Sequence, residues 1–74
     1  MLRFDPKALY RALDEQLRVR GLTWAAVARA IGVSASTLTR TARGGRMEVD
    51  GMLAMCRWVG RPAESFVRDT SRPG

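Results

Sequence analysis

Histidine is absent from this 74-residue chain, and Cys56 is its single cysteine. Zinc sites built from those two ligands are thereby excluded, as is an internal disulfide. The missing imidazole also removes the usual general base and nucleophile activator. The seven carboxylates, Asp5, Asp14, Glu15, Glu48, Asp50, Glu64 and Asp69, are scattered at helix starts and surfaces in no catalytic pairing. The expectation is a protein that is not an enzyme and uses no cofactor and no metal. No apolar run approaches the roughly 18 residues of a membrane span, and no signal-peptide pattern opens the chain, which points to the cytoplasm. Acidic residues are missing altogether between Gln16 and Met47, where Arg18, Arg20, Arg29, Arg40, Arg43 and Arg46 lie. Elsewhere seven bases balance the seven acids, so the whole net charge of +6 sits in the middle of the chain. Such asymmetry is the electrostatic footprint of a phosphate-binding surface. The plainer alternative is a solvated basic face in an arginine-biased composition, since twelve arginines stand against one lysine.

What is present suits one small domain with a single core, because 46% of the residues are apolar. Asp5-Pro6 is a strong helix start: Asp accepts from the orphan amides and Pro suits the first helical position. Leu9, Leu13 and Leu17, with Ala8, Tyr10 and Ala12 beside them, give that first helix an apolar stripe. Arg18 and Arg20 suit its negative end, and Gly21 closes it. Thr23 caps a second helix from Trp24, with Val27, Ala28 and Ile31 inward and Gly32 ending it. Ser34 caps a third from Ala35 to about Ala42, closed by Gly44-Gly45. Its β-branched threonines, Thr37, Thr39 and Thr41, would also fit a strand with alternating faces, but spacing and caps on both sides favour helix. Glu48 or Asp50 starts a fourth, with Met52, Met55, Cys56 and Val59 on one face and Gly60 at its end. Pro62 to about Val67 reads as a short fifth helix. The expected architecture is all-α, a compact five-helix bundle over residues 1–67, followed by a mobile tail over 68–74 with nothing to bury.

The second and third helices are joined by Gly32-Val33-Ser34 alone, the spacing of a helix-turn-helix. Ala28 is small where the third helix crosses, Gly32 turns the backbone, and Val27, Ile31, Val33 and Leu38 plug the angle. If Leu38 points inward, Ala35, Ser36, Thr39, Arg40 and Arg43 lie outward.

The stretch LTWAAVARAIGVSASTLTRTARG resembles the helix-turn-helix of the lambda-repressor/Cro-like DNA-binding family. The likeness runs from the first helix through EVDGMLAMCRWVGRPAESF. It implies sequence-specific binding of double-stranded DNA by a small transcriptional regulator, with the third helix in the major groove. Carried over by position, Ala35 would touch a thymine methyl, Ser36 and Thr39 would offer hydroxyls to bases, and Arg40 would reach guanine or phosphate. Arg43 and Arg46 would hold phosphates, Thr37 would turn to the backbone at the groove edge, and Trp24 would either meet a phosphate or staple the corner of the first two helices. The family also implies a homodimer on inverted half-sites, with Phe66 and Val67 at the dimer contact. Departures are Trp24 and Ala35, where many members carry long polar residues, and Thr41, where a large apolar residue is common. Trp58 and Phe66 otherwise read as core or self-association residues, Cys56 as a small buried apolar group. Two rival functions stay open: a helix-turn-helix scaffold used as a protein-interaction module, antitoxin-like or an adaptor, and sequence-blind architectural DNA binding.

Overall fold

The computed structural model describes residues 2–69. Its elements are β1 (Leu2–Phe4), α1 (Pro6–Arg20), α2 (Trp24–Ile31), α3 (Ala35–Ala42), α4 (Val49–Val59), a 3-10 turn (Ala63–Phe66) and β2 (Val67–Asp69). The caps read from the sequence are in place. Asp5 Oδ1 accepts the Ala8 amide at 3.1 Å, Thr23 Oγ1 the Ala26 amide at 3.1 Å, and Ser34 Oγ the Thr37 amide at 3.2 Å. Each satisfies one of the donors that a helix start leaves without an intrahelical partner. Two glycines at positive φ make the turns around α3. Gly32 (φ 87°) reverses the chain after α2 while its amide reaches Ala28 O at 2.8 Å. Gly44 (φ 76°) ends α3 in a Schellman closure: its amide bonds Thr41 O at 3.0 Å and that of Gly45 bonds Arg40 O at 2.9 Å.

Among the described residues four α-helices form rather than five helices. The segment expected as the last helix is a single 3-10 turn that opens directly into a strand. That strand pairs antiparallel with β1, setting Leu2 opposite Asp69, Arg3 opposite Arg68 and Phe4 opposite Val67. The all-α expectation is corrected to a mainly helical fold with a small two-stranded sheet. Arg68 and Asp69, expected in the tail, belong to this sheet; residues 70–74 lie outside the described residues. Asp5 ties the sheet to α1. Its amide donates to Phe66 O at 2.7 Å, and its second carboxylate oxygen takes Arg68 Nε at 2.7 Å while the first caps α1.

The core forms where α1 packs on α3 and α4, and α2 on the same two helices. Leu9 and Leu13 of α1, Val27 of α2, and Met55 of α4 are fully buried, with Leu38, Cys56 and Phe66 nearly so. Burying an aliphatic or aromatic side chain of this size contributes about 1.5–3 kcal/mol, which outweighs the poor helical propensity of the α3 threonines. Phe66 is 3% exposed; Phe4 meets it edge-on at 6.1 Å and the Arg61 guanidinium lies 4.5 Å from its ring centroid. It is a core residue, so the dimer contact expected of it cannot form without unpacking the fold. Val67 stays exposed on β2. Cys56 is buried as expected, and burial pushes its thiol pKa up against the opposing pull of the Arg61 charge. Among the described residues no helix is long and apolar enough to cross a membrane.

Candidate nucleic-acid interface

The outward face of α3 is set from below. Leu38 (4% exposed) and Thr41 (1%) point into the core, so helical geometry turns Ala35, Ser36, Thr39, Arg40 and Arg43 to solvent, and all five are exposed. Thr41 is buried without leaving an orphan group. Its hydroxyl donates to Thr37 O at 2.9 Å and lies 3.9 Å from Met55 Sδ. A threonine can fill a position suited to an apolar residue because its own helix supplies the acceptor.

The hydroxyls on this helix are not equivalent. The Ser36 hydroxyl enters no hydrogen bond among the described residues and keeps its donor and acceptors. Thr39 Oγ1 donates back to Ala35 O at 3.1 Å, which leaves its methyl group and its oxygen lone pairs for an outside partner. Thr37 is half-buried, and its hydroxyl is shared with Ser34 Oγ at 2.9 Å. The phosphate contact expected of Thr37 thus competes with an existing bond. The first amides of α2 and α3, at Trp24, Ala25, Ala35 and Ser36, make no hydrogen bond among the described residues. They stand at the positive ends of their helix dipoles.

Trp24 is half-buried and stacks on Tyr10 of α1, with ring centroids 4.7 Å apart and planes 9° from parallel. Of the two roles left open for it, the staple between α1 and α2 is the one with a contact. Trp58 lies under the Arg20 guanidinium at 4.7 Å and is also half-buried.

Electrostatics hold the main surprise. Arg40 and Arg46 line a groove of about 370 Å³ between α3 and the start of α4, and Glu48 and Asp50 line it from the other side. The acid-free stretch of sequence is therefore not an acid-free surface. The Gly44 turn and the loop that follows bring the first turn of α4 beside Arg40 and Arg46. Spacing along the sequence carries no signal of this convergence. No ion pair joins the two sides among the described residues. Arg43, the last residue before the Gly44 turn, is exposed and lies outside that groove. Among the described residues no three His, Cys, Asp or Glu side chains converge on a common point. Comparison of the chain with protein-family models, with curated proteins and with solved structures gives no match in any of the three.

Proposed function

We propose that the protein binds double-stranded DNA sequence-specifically, as a small transcriptional regulator of the lambda-repressor/Cro-like type, with α3 in the major groove. The observation that carries this reading is the exposed α3 face. Small and hydroxyl-bearing residues, Ala35, Ser36 and Thr39, lead it, and Arg40 and Arg43 follow, on a helix seated across a tight glycine turn from α2. Short side chains let a helix backbone approach the groove floor closely, where Ala35 and the Thr39 methyl suit a thymine methyl and Ser36 a base edge. Arg43, outside the groove, and Arg46, which also lines a second depression free of carboxylates, hold phosphates. Carboxylates repel a phosphate backbone, so Glu48 and Asp50 favour Arg40 over a guanine edge rather than against the strand. A homodimer on inverted half-sites completes the reading, its contact drawn from exposed apolar residues such as Val67, Leu2, Val49 and Leu53 rather than from Phe66.

A second reading draws on the same groove. Arginines facing carboxylates across about 370 Å³ would suit a mixed-charge segment of a protein partner as well as a nucleic acid edge. A salt series separates the two, with random-sequence duplex and with sites recovered by selection. DNA reading by α3 requires affinity to fall steeply with salt and a selected palindrome to be preferred by roughly 10³-fold or more. Absence of salt-dependent duplex binding transfers the groove to a protein partner. Equal affinity for every sequence leaves architectural binding.

A further inference from the structure

A second basic surface lies beyond the α3–α4 loop, built partly from regions where the sequence is charge-neutral. Arg46 is its pivot. On one side Arg46 shares the groove of Thr37 and Arg40; on the other it lines a shallow depression with Arg3, Phe4 and Gly44. Lys7, in the first turn of α1, lays its stem across that same glycine, so closely that a Cβ added at Gly44 would meet Lys7 Cε at 3.0 Å. Arg3, Lys7 and Arg46 are all exposed, and no ion pair engages them among the described residues. The depression shared by Arg3 and Arg46 is lined by no carboxylate, in contrast to the groove holding Glu48 and Asp50. Asp5 lines the adjoining depression with Arg3 and Lys7, but its two oxygens are committed to Arg68 and to the Ala8 amide.

We infer that Arg3 and Lys7 form, with Arg46, a phosphate-binding strip that carries one DNA strand past the C-terminal end of α3. This rests on α3 being the DNA-facing helix, and it adds contacts from β1 and α1 that the helix-turn-helix does not contain. Three cations outside any ion pair among the described residues, on a surface that continues through Arg46 to Arg40, suit an extended polyanion better than an isolated ligand. The compact ammonium of Lys7 suits a phosphate as a point charge and reads no base. The strip therefore raises affinity for every sequence alike.

Lys7 is the chain's sole lysine, which makes the test site-specific in the unaltered protein. Lysine acylation is followed by mass at Lys7, with and without random-sequence duplex at low salt. In parallel, duplex binding of the Arg3→Gln/Lys7→Gln double variant is measured across a salt series. The strip requires several-fold slower acylation of Lys7 in the complex. It also requires a salt slope shallower by about 1.8, from two lost phosphates, with the preferred site unchanged. Either result without the other overturns it, and acylation needs no variant to fold. Duplex binding by wild type with Lys7 unprotected and the slope kept removes the strip and leaves the α3 reading standing. No duplex binding at any salt removes both. Protection of Lys7 by polyglutamate equal to that by duplex overturns the strip in favour of an acidic protein segment.

Discussion

Ser34→Ala removes the oxygen that accepts the Thr37 amide at 3.2 Å and shares a hydrogen bond with the Thr37 hydroxyl at 2.9 Å. A helix cap of this kind contributes typically about 1 kcal/mol. Here the Thr37 amide keeps a second acceptor in the Ser34 carbonyl at 3.1 Å, which places the expected loss toward the low end. A loss of about 0.5–1 kcal/mol lowers Tm by roughly 2–8 °C in a domain of this size. Ser34→Asp behaves oppositely in the two properties that matter. It keeps a side-chain acceptor and adds a negative charge at the positive end of the α3 dipole, a gain of about 0.3–1 kcal/mol, so its Tm equals or exceeds that of wild type. If α3 enters a groove N-terminus first, the same charge stands beside phosphates and weakens duplex binding by roughly tenfold, about 1.4 kcal/mol, at low salt. Thermal unfolding followed by circular dichroism and duplex titration in one buffer measure both. The Ala variant should lose Tm and keep its site preference, while the Asp variant keeps Tm and loses affinity. An Asp variant that binds as tightly as wild type refutes the placement of the α3 N-terminus at DNA. An unchanged Tm in the Ala variant shows that Ser34 is not what holds the start of α3.

Arg40→Ala should cost about 1–3 kcal/mol on a selected site and relax base preference, whereas Arg43→Ala should weaken all sequences alike and flatten the salt slope by about 1. Wild-type binding by both variants would leave α3 without a role. Phe66→Ala should cost about 3–5 kcal/mol, comparable with the whole stability of many small domains, and is read as loss of a cooperative thermal transition. A variant that stays fully stable and instead changes its elution on gel filtration would return Phe66 to an interface. The Cys56 thiol should resist aromatic disulfide reagents near neutral pH until the protein unfolds, because burial raises its pKa. Below the ordinary thiol range both states hold the proton. Above it the unfolded chain loses the proton first, so stability falls as pH rises, by at most about 1.4 kcal/mol per unit. Denaturant titrations between neutral and alkaline pH should show this fall in wild type and not in Cys56→Ala; parallel curves would contradict it.

The helices were legible because their ends are written locally. Asp5, Thr23 and Ser34 each accept an amide three residues on, and Gly21, Gly32 and Gly60 each take a left-handed turn at the end of a helix. The stripe of Leu9 and Leu13, and that of Met52, Met55, Cys56 and Val59, mark core at helical spacing. The sheet was not legible, because three residues are too few to show alternation and the partner of each strand lies at the other end of the described chain. Pro62 with Phe66 mimics a helix start, yet the segment makes one turn before β1 claims its backbone. For the candidate site, the inward direction of Leu38 fixed which residues face out. What periodicity could not reveal was convergence: Glu48 and Asp50 onto Arg40, and Arg3 and Lys7 onto the Arg46 side. Charge counted along the chain says where cations are made, and packing decides which of them share a surface.

The pairing of β1 with β2 also bears on the order in which the molecule assembles. Bringing Leu2 opposite Asp69 closes nearly the whole described chain into a loop, whereas α2 and α3 meet across three residues. Loop-closure entropy grows with the length enclosed, so the hairpin of α2 and α3 can close early and the sheet closes late. Hydrogen exchange should then find the Asp5 amide, bonded to Phe66 O, opening before the amides at the centre of α1. When the strands part, Phe4 leaves the edge of Phe66 and Arg3 leaves the side of Arg46, while the Gly32 turn and the seating of Leu38 are untouched. Local opening at this seam would thus loosen the strip contributed by β1 and spare the helix at its centre.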